Sequence, residues 1–158
     1  MFKFLLSTTL LFLAATASAQ SLWRDVPAGA SPAEVVALVP EARPVSRGPV
    51  LLEIQDHELL DATFSVAFEF EQNKLKGITL RSQAATASAA RALAQRLTAS
   101  LRSRYGLEIS TRSRQDDVIP GVDRKWSYRK ASVRLQVVED KVVRLHYQAE
   151  VTRSTSQL

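Results

Sequence analysis

The 158-residue sequence contains no cysteine. That absence excludes thiol nucleophiles and disulfides, and it excludes a lipoprotein anchor, which needs a cysteine at the cleavage site. Histidine is scarce as well, with only His57 and His146 available as imidazole bases. Neither a Gly-x-Ser-x-Gly nor a Ser-x-x-Lys stretch accompanies them, so serine catalysis has no recognisable constellation. No cofactor motif stands out, and none is expected.

Long apolar runs are missing except at the start. Residues 4–13 are apolar apart from Ser7, Thr8 and Thr9, too short for the about 20 residues that span a bilayer. Met1-Phe2-Lys3 before this run and Ala17-Ser18-Ala19 after it give the charge and the small-x-small pattern of a secretory signal cleaved after Ala19. Residues 20–158 are then expected in the periplasm, without lipid and without a transmembrane segment. With no disulfides, that chain must fold on its core alone. Its length suits a single domain of about 100–150 residues.

Charge is unevenly placed. Residues 20–83 carry six Lys/Arg against nine Asp/Glu, and residues 84–158 carry fourteen against seven. The second half is therefore a basic lobe. In an exported protein its anionic partners are another protein, lipid head groups or envelope polymers rather than nucleic acid.

Gly29-Ala30-Ser31-Pro32-Ala33-Glu34 opens a helix. Ser31 is placed to cap it, Pro32 takes the first turn where a missing N–H costs nothing, and Glu34 completes a capping box. Pro40 ends it near Val39. A short strand is expected at residues 50–54, and residues 63–70 alternate strictly, with Phe64, Val66, Phe68 and Phe70 on one face. A three-residue loop, Glu71-Gln72-Asn73, sets Phe68 opposite Lys76 and Val66 opposite Ile78. Residues 84–104 then follow a helical period, with Ala90, Leu93, Leu97 and Leu101 as its apolar stripe and Gly106 as C-cap. Strands are expected again at residues 107–110, 124–128, 131–137 and 141–151, with a Pro120-Gly121 turn between the first two.

A shift of 67 positions lays the first hairpin on the last: Val66 on Val133, Phe68 on Leu135, Asn73 on Asp140, Ile78 on Leu145 and Leu80 on Tyr147. The expected fold is α+β: two tandem helix-plus-three-strand repeats, residues 20–83 and 84–153, with a flexible tail at 154–158. Together they form one antiparallel sheet with both helices packed on one face.

The stretch Gly29-x-Ser31-x-x-Glu34-Val35-x-x-Leu38, followed by a proline-bearing loop and strands, resembles the helix-start motif of the SmpA/OmlA (BamE-like) family. The tandem version resembles the β-lactamase inhibitor protein fold. Both resemblances imply an exported protein that binds other proteins and carries out no chemistry, as an inhibitor, immunity protein or assembly accessory. No inhibitory contact residue transfers by position.

Three clusters are candidate sites. Glu53, Asp56, His57, Glu58 and Asp61 crowd into nine residues, an oxygen-and-imidazole set for a divalent cation but without an ordered ligand spacing. Asp116-Asp117 is a carboxylate pair, adjacent in sequence and so unsuited to glycoside hydrolysis, which sets its acids about 5–10 Å apart across a cleft. The third cluster is basic and aromatic: Arg112, Arg114, Arg124, Lys125, Trp126, Tyr128, Arg129 and Lys130. Alternating rings and cations can stack on a ligand, whereas on a strand the same alternation can put both rings against a helix. This cluster is the expected partner-binding region. His146, between inward Leu145 and Tyr147, is expected to face outward.

Overall fold

Alternating apolar and polar residues write most of this chain as strands, and the computed structural model describes residues 21–109 and 122–150. A short pair, β1 (Ser21–Trp23) and β2 (Val26–Pro27), leads into α1 (Pro32–Leu38). Four strands follow: β3 (Arg43–Arg47), β4 (Val50–Leu59), β5 (Ala62–Glu71) and β6 (Lys74–Gln83). Then come α2 (Ala87–Tyr105), β7 (Asp123–Tyr128), β8 (Ala131–Val138) and β9 (Val142–Ala149). Strands β3 to β9 form one seven-stranded antiparallel sheet in the order β3-β4-β5-β6-β9-β8-β7. The two halves of the chain meet where β6 pairs with β9.

The helix ends obey their local chemistry. The Ser31 hydroxyl accepts from Glu34 N while the Glu34 carboxylate accepts from Ser31 N at 2.7 Å, a complete capping box. Thr86 caps α2, its Oγ1 accepting from Ala89 N at 3.1 Å. Gly106 closes α2 with φ +81°, a value that disfavours any side chain, and its N–H donates to the Arg102 carbonyl.

The expected tandem repeat of helix plus three strands is not what forms. The first half supplies a separate strand pair, a seven-residue helix and four strands of the sheet; the second supplies a nineteen-residue helix and three strands. Two causes are visible. Residues 43–47, expected as irregular connection, pair as an edge strand with β4. Strand β4 itself runs on to Leu59, because an irregularity between Ile54 and His57 resets the alternation and brings His57 and Leu59 back into phase. Of the strand expected at residues 107–110, the described part, residues 107–109, contributes a single bridge, from Ile109 to Lys125.

The hairpin register differs from expectation too. Glu71 pairs with Lys74, so the loop is the two residues Gln72-Asn73, both at positive φ. One residue is then inserted in β6, beside Lys76, and Phe68 faces Ile78 instead of Lys76. In the β8–β9 hairpin the extra residue sits in a three-residue loop, between Val138 and Val142, and Leu135 faces Leu145 without a bulge. Each solution keeps the apolar faces together, which a one-residue slip reverses.

Those faces make a single core. Phe64, Val66, Phe68, Ile78, Leu80, Leu135 and Leu145 are buried on the inner side of the sheet, and each such side chain contributes about 1.5–3 kcal/mol by leaving water. Helix α2 lies over β7, β8 and β9 with Ala90, Leu93, Ala94, Leu97 and Leu101 inward. Val35 of α1 joins the same core, and Trp23 of β1 reaches Phe68 at 6.1 Å between ring centroids. The opposite side of the sheet carries no layer among the described residues.

Candidate functional site

The expected basic and aromatic cluster does not converge. Arg112 and Arg114 lie outside the described residues, as do Asp116, Asp117, the expected signal segment 1–19 and the expected tail 154–158. Arg124 donates to the carboxylate of Glu108, which Arg102 also grips. Hydrogen bonding from Arg102 first, then from the Glu108 backbone and Arg124, drops this carboxyl to a pKa of about 2. The charge of Arg124 is thus neutralised locally.

Trp126 is a correction to the binding set. At 1% exposure it belongs to the core, with its indole N–H donating to the Gly106 carbonyl at 3.1 Å. Its place on β7 turns it toward α2, and Tyr128, two residues on, turns the same way. Tyr128 nevertheless stays 43% exposed at the sheet end, packed on Tyr105 at 5.7 Å with the Arg129 guanidinium 5.2 Å from its ring. Arg129 and Lys130 form the turn from β7 to β8, where the Lys130 carbonyl accepts from Glu150 N. Of the described members of the set, only Lys125 points with other cations onto the open side of the sheet.

Four members of the acidic stretch, Glu53, Asp56, His57 and Glu58, lie on β4, and Asp61 sits in the turn that follows it. His57 sits opposite Phe64, its ring edge-on to Trp23 at 5.2 Å, and burial lowers its pKa, with the Arg24 charge adding to the effect. Glu53 Oε2 is buried and accepts no hydrogen bond; Arg47 Nη1 stands 3.4 Å away without the alignment to donate one. Among the described residues no three His, Asp or Glu side chains group to hold a metal.

The sheet's uncovered face is where polar chemistry gathers, and the strand register arranges it in rows. One row runs Lys125, Arg134, His146, Thr79 and Ala67 across β7, β8, β9, β6 and β5. The next runs Asp123, Gln136, Arg144, Arg81 and Ser65. Between them lies a depression of about 450 Å³ lined by Glu69, Thr79, Arg81, Arg134, Gln136, Arg144 and His146.

Its bonding is directional. Thr79 Oγ1 donates its single proton to Glu69 Oε1 at 2.9 Å. The 2.8 Å contact between Thr79 Oγ1 and His146 Nδ1 therefore requires the histidine to donate, which places its proton on Nδ1 and leaves Nε2 an acceptor. The ring is half-buried over Gly77, where a Cβ would come within 3.1 Å of His146 Cε1 and 3.2 Å of the Tyr147 carbonyl oxygen. Burial lowers the His146 pKa; the nearby Glu69 charge opposes this, while Arg144 and Arg134 reinforce it. Arg134 donates from Nε and Nη2 to the two carboxylate oxygens of Asp123, and these bonds lower the Asp123 pKa. Arg81 and Arg144 stand directly opposite each other, and neither has a carboxylate partner among the described residues.

The sequence marks each of these residues as an outward position of an alternating strand. It gives no sign that β6 and β9 are neighbours, so Arg81 and Arg144 could not be put together before the fold was known.

No protein-family model matches the chain, and no curated protein matches it. Among solved structures, a DUF4309 family protein (YjgB) from Bacillus subtilis aligns over 76% of this chain and 78% of its own, at 14% identity and a TM-score of 0.45. A likeness at that level carries no functional argument. No helix among the described residues is long and apolar enough to cross a membrane.

Proposed function

We propose that this protein is an exported, non-enzymatic binding module that takes a protein partner on the open face of its sheet. The observation that carries this reading is the Arg81–Arg144 pair: two arginines directly opposite each other across β6 and β9, with no carboxylate partner among the described residues. Like charges directly opposite on a sheet are destabilising, so the arrangement has a cost that a bound acidic group would relieve.

The sheet edges favour the face as the contact surface. On one side β3 carries Pro44 between Arg43 and Arg47, and on the other β7 already pairs with Ile109. Strand addition to either edge is thereby obstructed. The signal-like residues 1–19 support export, and the helix-start motif at Gly29–Leu38 supports a protein-binding role by its resemblance to the BamE-like family.

A second reading has an observation of its own. The cation excess of residues 84–158 suits an anionic polymer or lipid head group. The open face argues for the first reading, since Asp123 at the end of one row and Glu69 in the depression break up its positive charge, and a uniform polyanion prefers an unbroken stripe.

Photo-crosslinking in the producing cell tests the proposal. A crosslinking residue at Gln136 or Gln148, on the open face, should trap a discrete protein, whereas one at Gln95 on the exposed side of α2 should not. Equal trapping from both sides, or none from the face, would contradict it.

A further inference from the structure

Resting on that reading of the open face, we propose that Arg81 and Arg144 form a receptor for the carboxylates of an acidic polypeptide segment. The two residues are exact cross-strand partners, so their Cβ atoms stand about 5 Å apart. At that spacing two planar donor forks meet one carboxylate from both sides, or a pair of neighbouring carboxylates bidentately.

The surrounding residues define the receptor further. Gln136, opposite Arg144, lines the depression with its side chain hydrogen-bonded to Asp123. Arg134 is already engaged by Asp123, so it frames the depression instead of receiving the ligand. Glu69, held by the Thr79 hydroxyl, repels a ligand carboxylate from the far side and confines it to the Arg81 and Arg144 guanidiniums. The occupant is thus a partner with discrete, localised carboxylates. A charged lipid surface fits less well: the pair sits on β6 and β9, in the middle of the sheet, and Glu69 and Asp123 oppose a continuous anionic plane.

The test uses the full secreted chain and a fluorescently labelled oligo-glutamate peptide, followed by anisotropy at low salt. Parallel measurements use vesicles of equimolar phosphatidylglycerol and phosphatidylcholine. Binding of the peptide is expected, weakening as salt rises. Substituting Arg81→Gln with Arg144→Gln should lower affinity at least about tenfold, since each charge-assisted hydrogen bond lost is worth about that factor. Arg91→Gln with Arg96→Gln on α2 keeps the same net charge change and should leave affinity within about twofold.

A loss as large in the α2 variant would overturn the receptor in favour of diffuse charge attraction. Vesicle binding without peptide binding would overturn the polypeptide occupant. Peptide binding that survives Arg81→Gln/Arg144→Gln but is lost in Lys125→Gln/Arg134→Gln would overturn this receptor while leaving the open face as the binding surface. Absence of any peptide binding would overturn the receptor too, and the crosslinking result then decides the face separately. Near-ultraviolet circular dichroism of each variant confirms that it is folded.

Discussion

His146 shows how much a single position depends on its setting. It faces outward, as its neighbours in sequence imply, yet its ring is half-buried and hydrogen-bonded to Thr79. Because its folded pKa lies below the 6.5 of a free histidine, the unfolded chain binds the proton more readily below that pH. Stability should therefore fall as pH drops from 6.5 toward the folded pKa, and His146→Gln should remove that share of the dependence. Nuclear magnetic resonance titration should give a His146 midpoint below 6.5; one above it would mean that Glu69 outweighs burial and the two arginines. Gly77 lies under the same ring. Adding a methyl there meets a backbone carbonyl at 3.2 Å, which cannot swing aside, so Gly77→Ala should cost about 1–3 kcal/mol in denaturant unfolding and displace the His146 ring signals. An alanine variant as stable as the parent would show that the strands separate freely.

At the scale of elements, the β5–β6 hairpin carries a sharp test. The body register of β6 is reached through a two-residue loop and one inserted residue beside Lys76. Deleting Lys76 should remove the insertion and leave Phe68 opposite Ile78, giving a folded protein with a small change in Tm. Deleting Thr79 should turn the rest of the strand over, expose its apolar face and abolish cooperative unfolding. The Arg81–Arg144 contact makes the opposite kind of prediction. Arg144→Thr removes a like-charge pair from adjacent strands and should raise stability by about 0.2–1 kcal/mol while it weakens partner binding. A residue retained at a cost to stability is what a binding site looks like in a stability measurement.

What could be read from the sequence follows from the range of the forces involved. Local chemistry was plain: the Ser31 capping box, the α2 stripe ending at Gly106, and the alternating faces of β5 and β8 all form as written. Long-range pairing was not. The bulge beside Lys76 and the irregularity before His57 each add a residue that burial alone decides, and both lie in polar sequence that offers no local signal. The short β1–β2 pair was unforeseen for the same reason: Leu22, Trp23 and Val26 earn their positions only against the rest of the core. The candidate site suffered most, because Arg124 of the obvious basic run is neutralised by Glu108 while Arg81 and Arg144 come from strands 63 positions apart in sequence.

Across the whole molecule, one core serves both halves, and the second helix depends on Trp126 beneath it. Trp126→Ala removes a fully buried ring and its bond to Gly106, and should cost about 3–5 kcal/mol, with the entire sheet unfolding in one transition. Two separate transitions would mean that the halves fold independently, against the continuous β6–β9 ladder. With its inner face committed to this core, the sheet has its outer face left for a partner.

The most direct measurement follows the guanidinium Nε–Hε resonances of the isotopically labelled protein as the oligo-glutamate peptide is added. Arg81 and Arg144 should shift together and saturate with the same affinity, with Gln136 side-chain signals following, while Arg91 and Arg96 on α2 stay in place. Shifts spread evenly over all arginines, or confined to residues away from β6 and β9, would contradict the Arg81–Arg144 receptor.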